Sequence, residues 1–333
     1  MSYIKRFVMT SLVLAAQLTF AAPIGTLYTA NEREGSISQV QLDRGTVRTV
    51  KVEVAPHNVQ VSPDGRWLLV VGMPQRAGHE GHSTGTGQLL VFRTDALAEP
   101  AFVLAAGAHP AHVVTDLAGK RAFVTDSASD LVRVFDLEKR QEVGQIGTGR
   151  FPHGLRLSPD GSTLYVADLK ADAVSVIDVA TLKETARIPV GKAPAQVGFA
   201  PDGKQAYVSL SGENKLGLID TATRRLVTKI AVGRMPIQMY ATPDGKQVYV
   251  ANQGSAKLPD QRVSVIDPAS RKVVATINSG KGAHGVVVSN DGAYAFVSNL
   301  EDGTVSIIDT ATHQVVARPQ VGAGPNGISF QQP

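Results

Sequence analysis

Histidine is the residue type that carries most of the chemistry available to this sequence. The chain has eight histidines and no cysteine, and imidazole is the commonest side-chain metal ligand in proteins. Three histidines share one local context, in APHN, FPHG and GAHG, and a fourth is displaced from it by one position. Imidazoles that point inward from equivalent positions could bind Cu, Zn or a haem iron. The predicted cofactor-binding residues are His57, His112, His153 and His284.

A glycine-rich stretch, MPQRAGHEGHSTGTGQ (73–88), adds a second group of candidate ligands. His79 and His82 lie close together there with a glutamate between them, and we predict that both join the metal site. Met73 and Met235 are two further candidates, because thioether sulfur favours Cu(I).

Each of these assignments has a structural alternative. A repeat that places histidine at the start of a strand could use the ring to bond backbone groups, with no metal present. His79 and His82 could belong to a mobile polar loop, and the two methionines could pack in the core. The sequence leaves both readings open.

A recurring turn signal organises the chain. It occurs as SPDG (62–65), DLAG (116–119), SPDG (158–161), APDG (200–203), TPDG (242–245) and SNDG (289–292). The last glycines of these turns are spaced by 54, 42, 42, 42 and 47 residues. Pro followed by Asp-Gly is typical of a tight turn, because Pro sets φ and Gly tolerates positive φ. Each unit contains four short strands of alternating polarity, which predicts one propeller blade per unit.

The runs that follow these turns, such as AFVTD, LYVAD and AYVSL, resemble the YVTN motif of YVTN-family β-propeller repeat proteins. The resemblance covers the whole chain after its N-terminal segment and implies an all-β, seven-bladed β-propeller with four strands per blade. GISF (327–330) ends where a seventh turn would begin, and GTLYTAN (25–31) starts at the complementary point. We predict that the C-terminal strand completes the N-terminal blade, which removes free sheet edges. A closed ring needs no partner subunit, so we expect a monomer.

Strand direction alternates within a blade, so the connections divide between two faces. The PDG turns and the Asp-Thr-Ala-Thr turns share one face, here called the bottom face. Seven of the eight histidines then map to the opposite, top face, and His313 is excluded. The recurrent aspartates are interpreted as turn residues that bond backbone N–H groups; they are Asp136, Asp178, Asp220, Asp267 and Asp309.

Loops and charges on the top face suggest partners. Insertions in repeat proteins often map to the binding face, so the segments 73–88 and 252–261 are candidate contacts for a protein partner. The top-face cations either bind an anionic ligand or form a solvated rim; they are Arg33, Arg150, Lys192 and Arg234.

The first residues predict secretion. Lys5 and Arg6 precede an apolar stretch that ends at small residues, which is the pattern of a cleaved Sec signal peptide over residues 1–21. We expect a single domain over 22–333, located in the periplasm and without a membrane span once the signal is removed. The absence of cysteine excludes disulfides. The formal charge of +4 becomes +2 without Lys5 and Arg6, a balance that does not favour nucleic-acid binding.

Three functions fit these observations, since a fold does not decide function. YVTN-type propellers resemble periplasmic binding propellers, surface proteins, the d1-haem propeller of nitrite reductase with its biogenesis relatives, and lactonase-like enzymes. The first hypothesis is a binding protein with a small ligand or metallocofactor at the channel mouth. The second is a protein- or DNA-interaction scaffold without a cofactor.

The third hypothesis is a lactonase- or lyase-like enzyme that uses a top-face histidine as general base together with a divalent cation. Such an enzyme would need a carboxylate paired with a histidine near the axis, and the starts of the inner strands offer none. The loops offer Glu32, Glu80, Asp168 and Glu301.

Overall fold

The computed structural model describes residues 23–75 and 85–333. Across these two ranges the chain forms strands and turns and contains no helix, so none there could cross a membrane. The predicted signal peptide and the pair His79 and His82 lie outside the described residues, and both remain predictions.

Seven four-stranded antiparallel sheets form the blades. Blade 1 contains β1 (Thr26–Asn31), β2 (Ser36–Gln41), β3 (Thr46–Lys51) and the last strand, β30 (Pro325–Gln331). Blade 2 contains β4 (Val54–Val61), β5 (Trp67–Pro74), β6 (Gly87–Arg93) and β7 (Phe102–Gly107). Blade 3 contains β8 (Pro110–Thr115), β9 (Arg121–Asp126), β10 (Leu131–Asp136) and β11 (Gln141–Gly147).

The other four blades follow the same order. Blade 4 contains β12 (Pro152–Leu157), β13 (Thr163–Asp168), β14 (Ala173–Asp178) and β15 (Lys183–Pro189). Blade 5 contains β16 (Pro194–Phe199), β17 (Gln205–Leu210), β18 (Lys215–Asp220) and β19 (Arg225–Ala231). Blade 6 contains β20 (Pro236–Ala241), β21 (Val248–Asn252), β24 (Arg262–Asp267) and β25 (Lys272–Asn278), with the ribbon β22 (Gly254–Ser255) and β23 (Leu258–Pro259) in its insertion. Blade 7 contains β26 (Ala283–Val288), β27 (Tyr294–Asn299), β28 (Thr304–Asp309) and β29 (Gln314–Ala317).

The ends of the chain close the ring as predicted. Strand β30 pairs antiparallel with β1, with Leu27 opposite Phe330 and Thr26 opposite Gln331. The hydroxyl of Tyr28 donates to Gln331 Oε1 at 2.7 Å across the same pair. The predicted seven-bladed propeller with four strands per blade is therefore confirmed.

The turns also form as predicted. In the turn after β12, Gly161 has φ +72°, and its N–H donates to Ser158 O at 2.8 Å. At the ends of β14 and β18, Asp178 Oδ1 and Asp220 Oδ1 each accept a 2.7 Å hydrogen bond from the backbone N–H three residues later. These aspartates stabilise turns, as predicted.

The hydrophobic core is divided among seven layers, each between two adjacent blades. The layer between blades 4 and 5, for example, packs Tyr165, Val174 and Ile188 against Val197 and Ile219. Because apolar packing occurs between blades, the innermost strand of each blade is left to face a central channel. The residues of these seven inner strands decide what the channel can bind.

Candidate metal site at the channel mouth

A β-bulge near the start of each inner strand places consecutive residues along the channel. The strand pairing shifts register there in all seven blades. A bulge leaves an extra residue unpaired and changes the direction of the neighbouring side chains. In β4, the adjacent residues His57 and Asn58 therefore both reach the channel, at different depths.

The bulge creates two layers near the top of the channel. The upper layer contains the residue that follows Pro56 in β4 and the equivalent residue of every other blade. These residues are His57, Ala111, His153, Ala195, Ile237, His284 and Asn326. His112 occupies the next position and so belongs to the layer below. The predicted equivalence of His57, His153 and His284 is confirmed. Because His112 lies one residue later in its strand, its side chain lies deeper in the channel.

Three imidazoles from consecutive blades converge at this point. One ring nitrogen from each of His57, His112 and His153 lies within 4.8 Å of the other two. His57 Nε2 and His153 Nε2 are 3.4 Å apart. The ring centroids are separated by 5.6, 5.4 and 4.8 Å. We call these three residues the histidine triad.

Partners of the other ring nitrogens orient two members of the triad. His57 Nδ1 lies 3.3 Å from Glu32 Oε1, and His153 Nδ1 lies 2.8 Å from the carbonyl oxygen of Ala195. Asn326 Nδ2 donates to the second oxygen of Glu32. A carboxylate or carbonyl on the far nitrogen of a histidine is the usual support of a metal ligand, since it sets the tautomer and the ring orientation.

The third imidazole has a buried nitrogen without a partner. His112 is 2% exposed, and its Nε2 makes no hydrogen bond to any described residue. Leaving a buried polar atom unpaired costs about 1–3 kcal/mol. A metal ion held by the triad would provide that nitrogen with a partner.

Charge at the site is balanced by one carboxylate. Burial opposes ionisation of Glu32, but the charge of His57 and hydrogen bonds from His57 and Asn326 outweigh it and lower the Glu32 pKa to about 2. Burial likewise opposes the charged form of His57, but Glu32 prevails and raises the His57 pKa. Burial and the charge of His57 lower the pKa of His153 to about 4. Burial and neighbouring imidazoles hold the pKa of His112 well below its usual value. His112 and His153 are therefore neutral at pH 7, the form that binds metal.

Above the triad the channel opens into a cavity of about 570 Å³. His57 and His153 lie on one side, and Leu169, Met235 and Ile237 contribute apolar surface. This volume falls within the range of small-molecule pockets.

His284 lies in the wall of this cavity and outside the triad. Its Nδ1 is 3.1 Å from the carbonyl oxygen of Asn326. Burial, followed by the charge of His57, lowers its pKa to about 3.

The carboxylate beside the triad comes from a loop. The expectation that the starts of the inner strands offer no acid holds, yet Glu32 reaches His57 from the loop between β1 and β2. Glu301 instead binds Arg33, and Asp168 is fully buried and accepts a hydrogen bond from Ser175. Glu32 could have been identified only by its place on the top face, because a long-range contact has no local sequence signal.

The predicted cationic rim is already paired. Arg33 binds Glu301, Lys192 binds Asp172, Arg150 donates to Lys170 O, and Arg234 donates to Pro259 O. These contacts favour the solvated-rim interpretation over a binding site for an anionic ligand.

The chain is similar to known proteins in sequence and in fold. The cytochrome D1 heme domain family matches residues 36–246 and 233–324. The structure resembles hydrazine synthase of Kuenenia stuttgartiensis, with 23% identity, coverage of 82% of this chain and 89% of that chain, and a TM-score of 0.68. It also resembles a periplasmic gluconolactonase of Pseudomonas aeruginosa, with 20% identity, 92% and 98% coverage, and a TM-score of 0.74.

A third similar structure is a functionally unknown protein of Desulfotomaculum acetoxidans, with 15% identity, 93% and 99% coverage, and a TM-score of 0.76. At these identities the likeness to solved structures concerns the fold alone. No curated protein sequence matches the chain. Because the family match extends over most of the chain, this protein belongs to the cytochrome D1 heme domain family.

Proposed function

We propose that this protein is a periplasmic metal-binding protein that holds one Cu or Zn ion through the histidine triad. The observation that carries the proposal is the convergence of three ring nitrogens within 4.8 Å. Tetrahedral ligands about 2.0–2.1 Å from Zn are about 3.4 Å from one another. His57 Nε2 and His153 Nε2 already have a separation of 3.4 Å, and a ring nitrogen of His112 lies within 4.8 Å of both residues' ligand atoms.

The surroundings of the triad support a metal ion over repeat-derived structural histidines. His112 Nδ1 lies 3.5 Å from Gln196 Nε2, which leaves the buried Nε2 of the same ring without a partner among the described residues. Glu32 supplies a negative charge that offsets the charge of a bound cation. Three protein ligands with the fourth position open toward a cavity is the arrangement of metal sites that bind an exogenous ligand.

The family suggests a haem, and the residues fit that group only in part. A porphyrin occupies four coordination positions of its iron and leaves one on each face, so a triad on one side could contribute a single ligand. The apolar surface of Leu169 and Ile237 suits a flat macrocycle. Two of the rim cations that would meet its acidic groups, Arg33 and Lys192, are already in ion pairs. The donor set therefore favours a single ion.

Binding rather than catalysis is the function we favour for this site. Both oxygens of Glu32 are engaged, one with His57 and one with Asn326, which suits a carboxylate that positions a ligand better than one that abstracts a proton. The periplasmic location is supported by the predicted signal peptide and by the likeness to a gluconolactonase described as periplasmic.

Metal titration of the purified, chelator-treated full chain tests the proposal. We expect one equivalent of Zn²⁺ or Cu²⁺ to bind the wild type, and the His153→Ala and His57→Asn variants to lose binding. Alanine and asparagine occur at the equivalent position of other blades, as Ala195 and Asn326. His109→Ala is the matched control, because it removes a top-face imidazole outside the triad.

The outcomes separate the alternatives. No stoichiometric metal in the wild type, or equal binding in wild type and His153→Ala, would refute the triad as a metal site. A Soret band in protein isolated from the periplasm, lost when a single histidine is replaced, would show that the site holds a haem and not a single ion. Lactone hydrolysis by the metal-loaded wild type would show that the protein is an enzyme.

A further inference from the structure

The lower half of the channel holds a second cavity with a different lining. Its volume is about 70 Å³, and it begins below the histidine triad, since His112 forms part of its upper wall. Glutamine, asparagine and serine side chains line it, and Arg156 is the one charged side chain among the described residues of its lining. The described residues that line it include no acid.

Arg156 has no counter-ion among the described residues. Within residues 23–75 and 85–333 its guanidinium forms neither an ion pair nor a hydrogen bond, and it lies over the ring of Tyr240, 5.6 Å from the centroid. The two residues belong to blades 4 and 6. Gly198 occupies the equivalent position in blade 5, and because it has no side chain the guanidinium can reach across the channel. Arg156 is partly buried, and its five N–H donors have no acceptor among the described residues.

Gln238 is a second unsatisfied donor in the same cavity. It is 3% exposed, and its Nε2 finds no partner among the residues described. Gln60, by contrast, donates from its amide to Val61 O at 2.9 Å. A buried amide N–H without an acceptor costs about 1–3 kcal/mol, so an acceptor that entered the cavity would satisfy Gln238.

We propose that the lower channel binds one small oxyanion of the carboxylate class. Arg156 supplies the charge and a planar fork that matches a carboxylate, and Gln238 Nε2 donates a further hydrogen bond. The cavity of about 70 Å³ admits a few heavy atoms, since a water molecule in the liquid occupies about 30 Å³. Carboxylate binding at this site does not require the metal proposed above.

Formate is the probe that tests the site. The full chain is titrated in a chelator-containing buffer, with ionic strength held constant by sodium chloride, whose anion has no carboxylate group. We expect a saturable rise in unfolding temperature with formate, since a ligand that binds only the folded state stabilises it. Arg156→Gln should weaken formate binding by at least tenfold, and Gln238→Met should weaken it by a smaller factor.

A matched control separates the site from general charge effects. Arg225→Gln removes the same charge from an exposed position and should leave the formate response unchanged. A response that does not saturate, that persists in Arg156→Gln, or that falls equally in Arg225→Gln would overturn the proposal. Arg156→Gln removes an unpaired charge and should fold, and its unfolding curve without formate verifies this. Because no metal is present, the result does not depend on the histidine triad.

Discussion

The two halves of the central channel are lined by the same seven strands and hold different chemistry. The upper half has imidazoles and one carboxylate and widens into a cavity of about 570 Å³. The lower half has a guanidinium and amides around a cavity of about 70 Å³. The inner strands run through both halves, so the difference arises from which residue occupies each position of the repeat and from the loops, which supply Glu32 and Leu169 to the upper half.

The position four residues after Pro56 in β4, with its equivalent in every other blade, illustrates this freedom. Around the ring it holds Gln60, Val114, Arg156, Gly198, Tyr240, Val287 and Ser329. Size and polarity vary there without loss of the fold, because the apolar core lies between blades. Channel residues can therefore be exchanged for their equivalents in other blades, which provides substitutions that test chemistry separately from stability.

Replacing the buried member of the triad should have the greatest effect. Gln196 and Gln238 occupy the position of His112 in blades 5 and 6, so His112→Gln should keep the fold. We expect metal affinity to fall by more than about 100-fold, beyond the effect of changing an outer-shell partner. The metal-free unfolding temperature should change by less than about 4 °C, the scale of 1 kcal/mol. Calorimetric titration and thermal unfolding measure the two quantities; unchanged affinity would contradict the triad.

Removing the charge beside the triad should have the next effect. Glu32→Gln keeps the size of the side chain that contacts His57 and removes its charge. We expect metal affinity to fall by about 10- to 100-fold, the usual effect of an outer-shell substitution. Glu301→Gln is the control, because that carboxylate pairs with Arg33 at the rim and should leave the affinity unchanged.

Acid should destabilise the upper half selectively. The pKa of His284 is lowered in the folded protein to about 3, so between that value and the unfolded pKa of about 6.5 the unfolded chain binds more protons. The free energy of unfolding should therefore fall as pH falls below 6.5, by about 2 kcal/mol from this residue at pH 5.

Urea unfolding with chelator at pH 7.5 and 5.0 measures this loss. His284→Asn copies Asn326 of the neighbouring blade and should lose about 2 kcal/mol less than the wild type. Arg156→Gln should lose as much as the wild type, because arginine stays charged over this range. Equal losses in His284→Asn and wild type would show that His284 does not carry the effect.

The smallest expected effect is that of the Arg156 charge, in the lower half of the channel, on metal affinity in the upper half. The charge of Arg156 is one of the influences that lower the pKa of His112, so it should also oppose a cation held by the triad. Arg156→Gln should therefore raise metal affinity, by less than about fivefold, since a charge pair at high dielectric is worth about 1 kcal/mol. Titration without added carboxylate measures it. A loss above tenfold would mean that Arg156 supports the metal site directly.

Much of the candidate site was predictable because the repeat is regular. The 42-residue spacing and the context of His57, His153 and His284 place these residues at equivalent starts of inner strands. The pairing of Glu32 with His57 was not predictable, because it joins a loop of blade 1 to a strand of blade 2. The choice among the four histidines also depended on distances across the ring, which no local pattern contains.

The sequence by itself determined the blades, the closure of the ring and the face that carries the histidines, since turn residues and strand alternation are local properties of the chain. Only the tertiary structure decided which imidazoles meet. The bulges in the inner strands bring His112 beside His57 and His153, although sequence alignment displaces it by one residue. Bulges and ring curvature arise from packing between blades, so the depth of each channel residue is a property of the assembled propeller.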